Sequence, residues 1–404
     1  MDLRLLSPAH GWCCEHHDEE DILMTYQPLA EVRKTLRVKW YRSKVDHTIL
    51  RNLSKRSDLQ GWFQAGGHLA LWLLTGSLVY FFWSQAIWIG FFIALFVHGT
   101  VASFFKGTAN HELGHGTVFS TKWLNKFFLY LFSLISWWDH FDYGSSHTYH
   151  HRYTLYPEGD RENLLPLEPT LGSFFVLQLF TINLLTQPGR TFSKGGLIAA
   201  VICTIRSAFA KEGPPDIPSQ EWLASLHIDQ PEEHKNSIWW SRILLLFHGA
   251  LLIVSLATGY WVFPLIITAS AFIANWGSYL VSLPQHCGLK ENDPDFRKCT
   301  RSIKLNPVAE FLYWRMNWHI EHHMFAGVPC YNLKKLHHLV AEDMPELRTL
   351  LGAWREMRET WQRQKSEPDY YFDTPLPPTA KHIPTEASDI LETSIGELAP
   401  KGLK

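Results

Sequence analysis

Eight histidines fall into three short clusters: His111 with His115, His147 with His150 and His151, and His319 with His322 and His323. Residues three or four apart share one face of an α-helix, so each cluster can aim its rings at a single point. Neutral imidazole is a ligand for zinc, copper, iron or nickel. A tetrahedral zinc site uses four donors, so eight converging rings suit two metal ions. The chain holds 22 histidines in 404 residues, enough for one such pattern to arise by composition. Three together in one chain are a signal beyond composition. The first cluster, with Glu112 after His111, also reads as the H-E-x-x-H motif of zinc metalloproteases. That competing reading accounts for two of the histidines and leaves the rest without a role.

The elements that must position these rings are apolar helices. No Asp, Glu, Lys or Arg occurs from Gly61 to Phe105, or from Ile243 to Leu289. A spanning helix needs about 20 apolar residues, so each run is long enough for two. The expected fold is an all-α integral membrane protein. About four transmembrane helices, near 66–83, 86–105, 243–260 and 263–283, form two hairpins. A helical cap holds the histidines. Nine basic residues from Arg33 to Arg56 precede the first span, and the hairpin tips are uncharged. The positive-inside rule then places both termini, and all three clusters, in the cytoplasm.

Three parts follow: a basic cytoplasmic lead-in over 1–60, a membrane domain over 61–365, and a disordered Pro- and Glu-rich tail over 366–404. The apolar stretch 122–138 is short for a span and reads as an interfacial helix, as do 171–187 and 196–210. Residues 211–237, with Pro214, Pro215 and Pro218, read as a polar loop, and 345–364 as an amphipathic helix. The N-terminus lacks the apolar core of a signal peptide. The six cysteines show no C-x-x-C spacing, which fits a reduced compartment. Cys13, Cys14, His16 and His17 read as an unspecialised terminus. A net charge of −2 gives no footprint for nucleic acid.

Histidine clusters at the mouth of a membrane bundle narrow the chemistry. An apolar chain entering from lipid offers only unactivated C–H bonds, which no acid or base ionises near neutral pH. Zinc has no redox chemistry, so the pattern favours iron. A metal transporter would need polar groups along the spans, and the two hairpins offer only His68, His98 and His248.

The three clusters, their order and the hairpins resemble the membrane fatty acid desaturase superfamily over roughly residues 60–345. The resemblance implies a histidine-held pair of iron ions that uses O₂ as co-substrate to remove hydrogen from a long acyl chain. The superfamily also contains hydroxylases, decarboxylases and carotenoid ketolases, so hydroxylation or oxidative decarboxylation of an acyl, alkyl or carotenoid substrate is the alternative. The implied ligands are His111, His115, His147, His150, His151, His319, His322 and His323, with His286 as a ninth just after the fourth span. Related bacterial chains often have Phe-Pro where Phe325 and Ala326 stand, a change that removes no ligand. Metal-bound histidines usually give their second ring N–H to a carboxylate or carbonyl. Glu112 and Glu321 are the first candidates for that role, with Asp139, Asp142, Asp160 and Glu162 nearby. A substrate tunnel is expected from Trp137, Trp138, Tyr149, Tyr313 and Trp314. The chain shows no haem, flavin, dinucleotide or iron–sulfur motif. A separate donor, such as a ferredoxin or a cytochrome b5-like protein, must therefore deliver electrons to the basic face.

Overall fold

The computed structural model describes residues 26–162, 172–185, 195–211 and 220–381. The terminal Cys13–His17 group and the last part of the expected tail, 382–404, lie outside these residues.

Among the described residues, three helices are long and apolar enough to cross a membrane: Asp58–Ser84, Trp88–Gly114 and Pro231–Ala257. Each has 27 residues, which at 1.5 Å per residue is about 40 Å, longer than a hydrocarbon core of about 30 Å. The first two form a hairpin, turned at Ala86 with a φ of 53°. Their outer faces carry large exposed apolar side chains such as Leu74, Ile89, Phe92 and Ile93. Water would penalise so large an apolar patch, whereas lipid accepts it. The inner faces are tied by histidines. His98 bonds Thr75 and the Ile266 carbonyl, His248 bonds Thr268 and the Leu134 carbonyl, and His68 meets the Val101 carbonyl and the Trp314 indole. These polar ties satisfy groups that hydrocarbon would leave unpaired.

The fourth expected span, 263–283, is not one continuous helix. A π-turn at Pro264–Thr268 and a 3-10 turn at Ser270–Phe272 lead to an extended Ile273 and to Ala274 with a φ of 44°. A helix then resumes at Trp276–Ser282. The freed backbone groups are taken up by the neighbouring strand-like segment. Ala274 N–H donates to the Thr181 carbonyl and Asn183 N–H to the Phe272 carbonyl, each at 2.8 Å. Irregular backbone at membrane depth needs such protein partners. The break also lets Gly99 pack against it; a Cβ there would sit 2.3 Å from the Ile273 oxygen. Hydropathy sees only an apolar run here, so the interruption is invisible to it.

Trp88–Gly114 bends at Lys106 and Gly107, where ψ reaches 121° and φ 79°. The short Asn110–Gly114 helix beyond the bend therefore leaves the axis of the span. The amphipathic Lys122–Ile135 helix follows, then His140–Tyr153, whose start is capped by the Asp139 carboxylate accepting from Phe141 and Asp142 N–H. The 171–187 and 196–210 stretches form the short helices Ser173–Phe180 and Leu197–Ala208. Residues 220–237 are helical rather than a polar loop. Gln220–Asp229 is one helix, and Pro231 opens the next, where a missing N–H costs nothing. The amphipathic C-terminal helix spans Leu350–Gln364. Besides helices, the described residues include one parallel pair of two-residue strands, Ile303–Lys304 with Arg348–Thr349.

Both described ends pack on the body. The lead-in straps the cap: Trp40 Nε1 donates to the Arg152 carbonyl at 2.9 Å and Arg42 Nε to the Met324 carbonyl at 2.7 Å. The tail does not leave the body at 366. Phe372 N–H bonds the Gly288 carbonyl, and the Lys381 carbonyl accepts from Arg297. Composition alone read this stretch as unpaired, because its partners lie far away in sequence.

Candidate metal centre

Three helices and one turn bring nine imidazoles together. His111 lies on Asn110–Gly114 and His115 caps it; His147, His150 and His151 lie on His140–Tyr153; His319, His322 and His323 lie on His319–Met324. His286 follows the 3-10 turn Leu283–Gln285. The rings divide into two groups, each with its donor nitrogens within 4.8 Å of one another. One group is His111, His115, His147, His151 and His322; the other is His150, His286, His319 and His323. The groups adjoin, with the His150 and His151 ring centroids 5.8 Å apart.

The donor atoms fit metal ions. Nε2 of His286 lies 3.0 Å from Nε2 of His319, and Nε2 of His319 lies 3.2 Å from Nε2 of His323. Metal–imidazole bonds of about 2.0–2.1 Å set adjacent donors roughly 3 Å apart. The buried Nε2 atoms of His111, His115 and His147 have no hydrogen-bond partner in the protein. Orphaned buried nitrogens are rare in folded proteins, and a cation between them removes the penalty.

The opposite ring nitrogens are held from outside. Nδ1 of His111 meets Glu112 Oε1 at 3.0 Å, Nδ1 of His147 meets Glu162 Oε1 at 3.2 Å, and Nδ1 of His150 meets Asp160 Oδ2 at 2.9 Å. Nδ1 of His286 donates to the Cys299 carbonyl at 2.9 Å. A proton fixed on Nδ1 leaves the Nε2 lone pair facing the centre. Burial works against the Asp160 charge, yet the His150 ring and the Leu155 amide hold its carboxyl below the usual carboxylate range. Asp160→Asn should therefore keep the shape but weaken metal affinity by about 10–100-fold, as read by competition with a chelator. Unchanged affinity would show that this carboxylate does not support the ligand.

The other acidic candidates are placed elsewhere. Glu321 Oε1 accepts from His337 Nδ1 at 2.6 Å and Oε2 from Ser302 at 2.7 Å, so it braces the third cluster's helix rather than a cluster ring. The His337 side chain is correspondingly mostly buried. Asp139 caps its helix and accepts from Ser237, and Asp142 meets His227. Besides Glu112, the carboxylates that reach the cluster rings are Glu162 and Asp160.

A cavity of about 100 Å³ opens onto His111, His147, His150, His286 and His319. Its remaining wall is more polar than expected, with Lys106, Asn183, Asn275, Ser278 and Ser282 beside Tyr143 and Tyr313. Of the five aromatic residues expected to line a tunnel, Tyr313 alone lines this cavity. Trp137 stacks on His248, Tyr149 bonds Arg33 and Asp229, and Trp314 is buried against His68.

A family model described as fatty acid desaturase matches residues 85–353. No curated protein matches the chain. The matched span contains all nine imidazoles.

Proposed function

Because the chain belongs to the fatty acid desaturase family, we propose that it oxidises a long acyl chain with O₂ at a pair of iron ions, forming a double bond. The observation that carries this reading is the division of nine imidazoles into groups of five and four at one end of apolar helices. His111, His115, His147, His151 and His322 would hold one ion, and His150, His286, His319 and His323 the other. Iron there would supply the redox power to break an unactivated C–H bond with O₂, which no side chain possesses.

The chain's own residues do the rest. Glu112, Glu162, Asp160 and the Cys299 carbonyl fix the rings, which keeps the donor set from reorganising. The cavity would present the substrate beside both groups. Desaturation is the family's commonest outcome; alcohol formation or loss of CO₂ would follow from a different placement of the same chain. A zinc protease reading fails to use seven of the nine rings.

We place the site and both termini on the cytoplasmic side, where the lead-in meets an external electron donor such as a ferredoxin or cytochrome b5-like protein. Lys34, Arg37, Lys39, Lys44, Arg51, Lys55 and Arg56 are exposed. Arg33 and Arg42 turn inward, to Asp229 and to the Met324 carbonyl. Raising salt from 0.1 to 1 M shortens the Debye length from about 10 to 3 Å. Turnover with a protein donor should then slow by roughly tenfold or more, while turnover with a small neutral reductant should not. Equal salt response for both donors would remove electrostatic docking.

The reaction is tested by mass spectrometry of lipids and hydrocarbons from cells expressing the native chain or His319→Ala. An internal alkene found only with the native chain is expected. An alcohol or terminal alkene would reassign the outcome, and identical profiles in cells supplied with donor and fatty acid would contradict oxidation of acyl chains.

A further inference from the structure

Lys106 is an ammonium inside a candidate spanning segment, and it lines the same cavity as five of the cluster histidines. A lysine near the end of a span ordinarily extends outward to the interface. This one turns inward. Its Nζ lies 4.4 Å from the centroid of the Phe272 ring and 6.0 Å from that of Trp138, both fully buried. It donates to the Gly195 carbonyl at 3.3 Å, and among the described residues no carboxylate pairs with it. The bend at Gly107 turns the chain at this point. A cation held against buried aromatic rings without a carboxylate partner is costly, which makes this position a candidate functional site.

The wall around it is built for a polar guest. Tyr313 is 1% exposed, and its hydroxyl, which can donate to an anion, has no hydrogen-bond partner. Asn183 Oδ1 and Asn275 Oδ1 are also unpartnered, but as acceptors they call for a donor and not for a carboxylate oxygen. All three residues line the cavity. The broken fourth segment supplies Asn275, and the strand that pairs with the break supplies Asn183. Alkyl chain alone would leave the buried Tyr313 hydroxyl unsatisfied.

We propose that this cavity seats the carboxylate of an unesterified acyl substrate on Lys106. The inference deepens the oxidative reading above and rests on it for the word substrate. At about 100 Å³ the cavity is well below the roughly 300–1,000 Å³ of pockets that enclose a drug-sized ligand. It has room for a carboxylate head and a few carbons. Lys106 and the histidines share this small space, so the carbons brought to the metal centre are those near the carboxylate.

The test uses the full chain in neutral-lipid nanodiscs, with dodecanoate and methyl dodecanoate as probes. Native protein should bind the acid at least tenfold more tightly than the ester. Lys106→Gln should abolish that preference without weakening ester binding, and Lys106→Arg should keep it; melting temperature and gel filtration report whether each variant is folded. Equal binding of acid and ester by native protein, or a preference that survives Lys106→Gln, would overturn the proposal. With iron and a reductant, oxidation of dodecanoate should fall on carbons near the carboxyl end, and oxidation confined to mid-chain would also overturn it. Iron content is measured on the same samples. Acid preference in a chain that holds no iron would support the head-group site and remove the oxidative reading, so the two fail separately.

Discussion

If the proposed two-iron centre holds, replacing His286 by alanine should cost the chain one iron ion and reduce turnover to background. His286 belongs to the group of four, so three donors remain after the change. Its Nε2 lies 3.0 Å from that of His319, and the Cys299 carbonyl orients the ring from behind. Nearby histidines belong to the other group and are held by their own partners. Loss of a supporting carboxylate alone weakens metal binding by about 10–100-fold, so loss of the ligand should exceed about 100-fold. Iron analysis of purified His286→Ala should give about one ion per chain. Two ions with full turnover would remove His286 from the centre.

Arg297→Ala should be among the most destabilising single changes outside the centre. The guanidinium is fully buried and donates to Asp295 at 2.7 Å, to Asp343 at 2.8 Å and to the Lys381 carbonyl at 2.7 Å. Asp343 also accepts from Tyr41 and Ser43 of the lead-in. One side chain therefore clamps the lead-in, the tail and the segment after His286. Its removal leaves Asp295, 4% exposed, without its cation. Breaking a buried pair in this way costs about 3–5 kcal/mol. Lys298→Ala is the contrast: its partner Asp373 is 70% exposed, and such pairs contribute about 0–1 kcal/mol. Thermal unfolding in one detergent should separate the two variants clearly. Equal shifts would mean that the clamp does not hold the cap.

The histidines were legible because helical periodicity is local. His147, His150 and His151 share a face at spacings that any helix imposes, and the same holds for His319, His322 and His323. His286 carries no such pattern, and only the family resemblance singled it out. The carboxylates show the limit of reading by proximity. Asp139 and Asp142 lie closer in sequence to the second cluster than Asp160 and Glu162, yet the first pair serves helix capping and His227. The chain reverses after Tyr153, and that reversal brings the second pair back to the rings. Periodicity also recorded an unbroken apolar run over 263–283. The break at Ile273 and Ala274 depends on hydrogen bonds to Thr181 and Asn183, which lie some ninety residues earlier in the chain. Lys106 was simply the residue that ended the first uncharged run. Its inward turn became visible only with Phe272 and Trp138 placed around it.

The central claim is that nine imidazoles form one two-metal centre. Elemental analysis of the purified full chain, expressed with ample iron, tests it most directly. The account predicts two iron ions per chain. One zinc ion and no iron would contradict it.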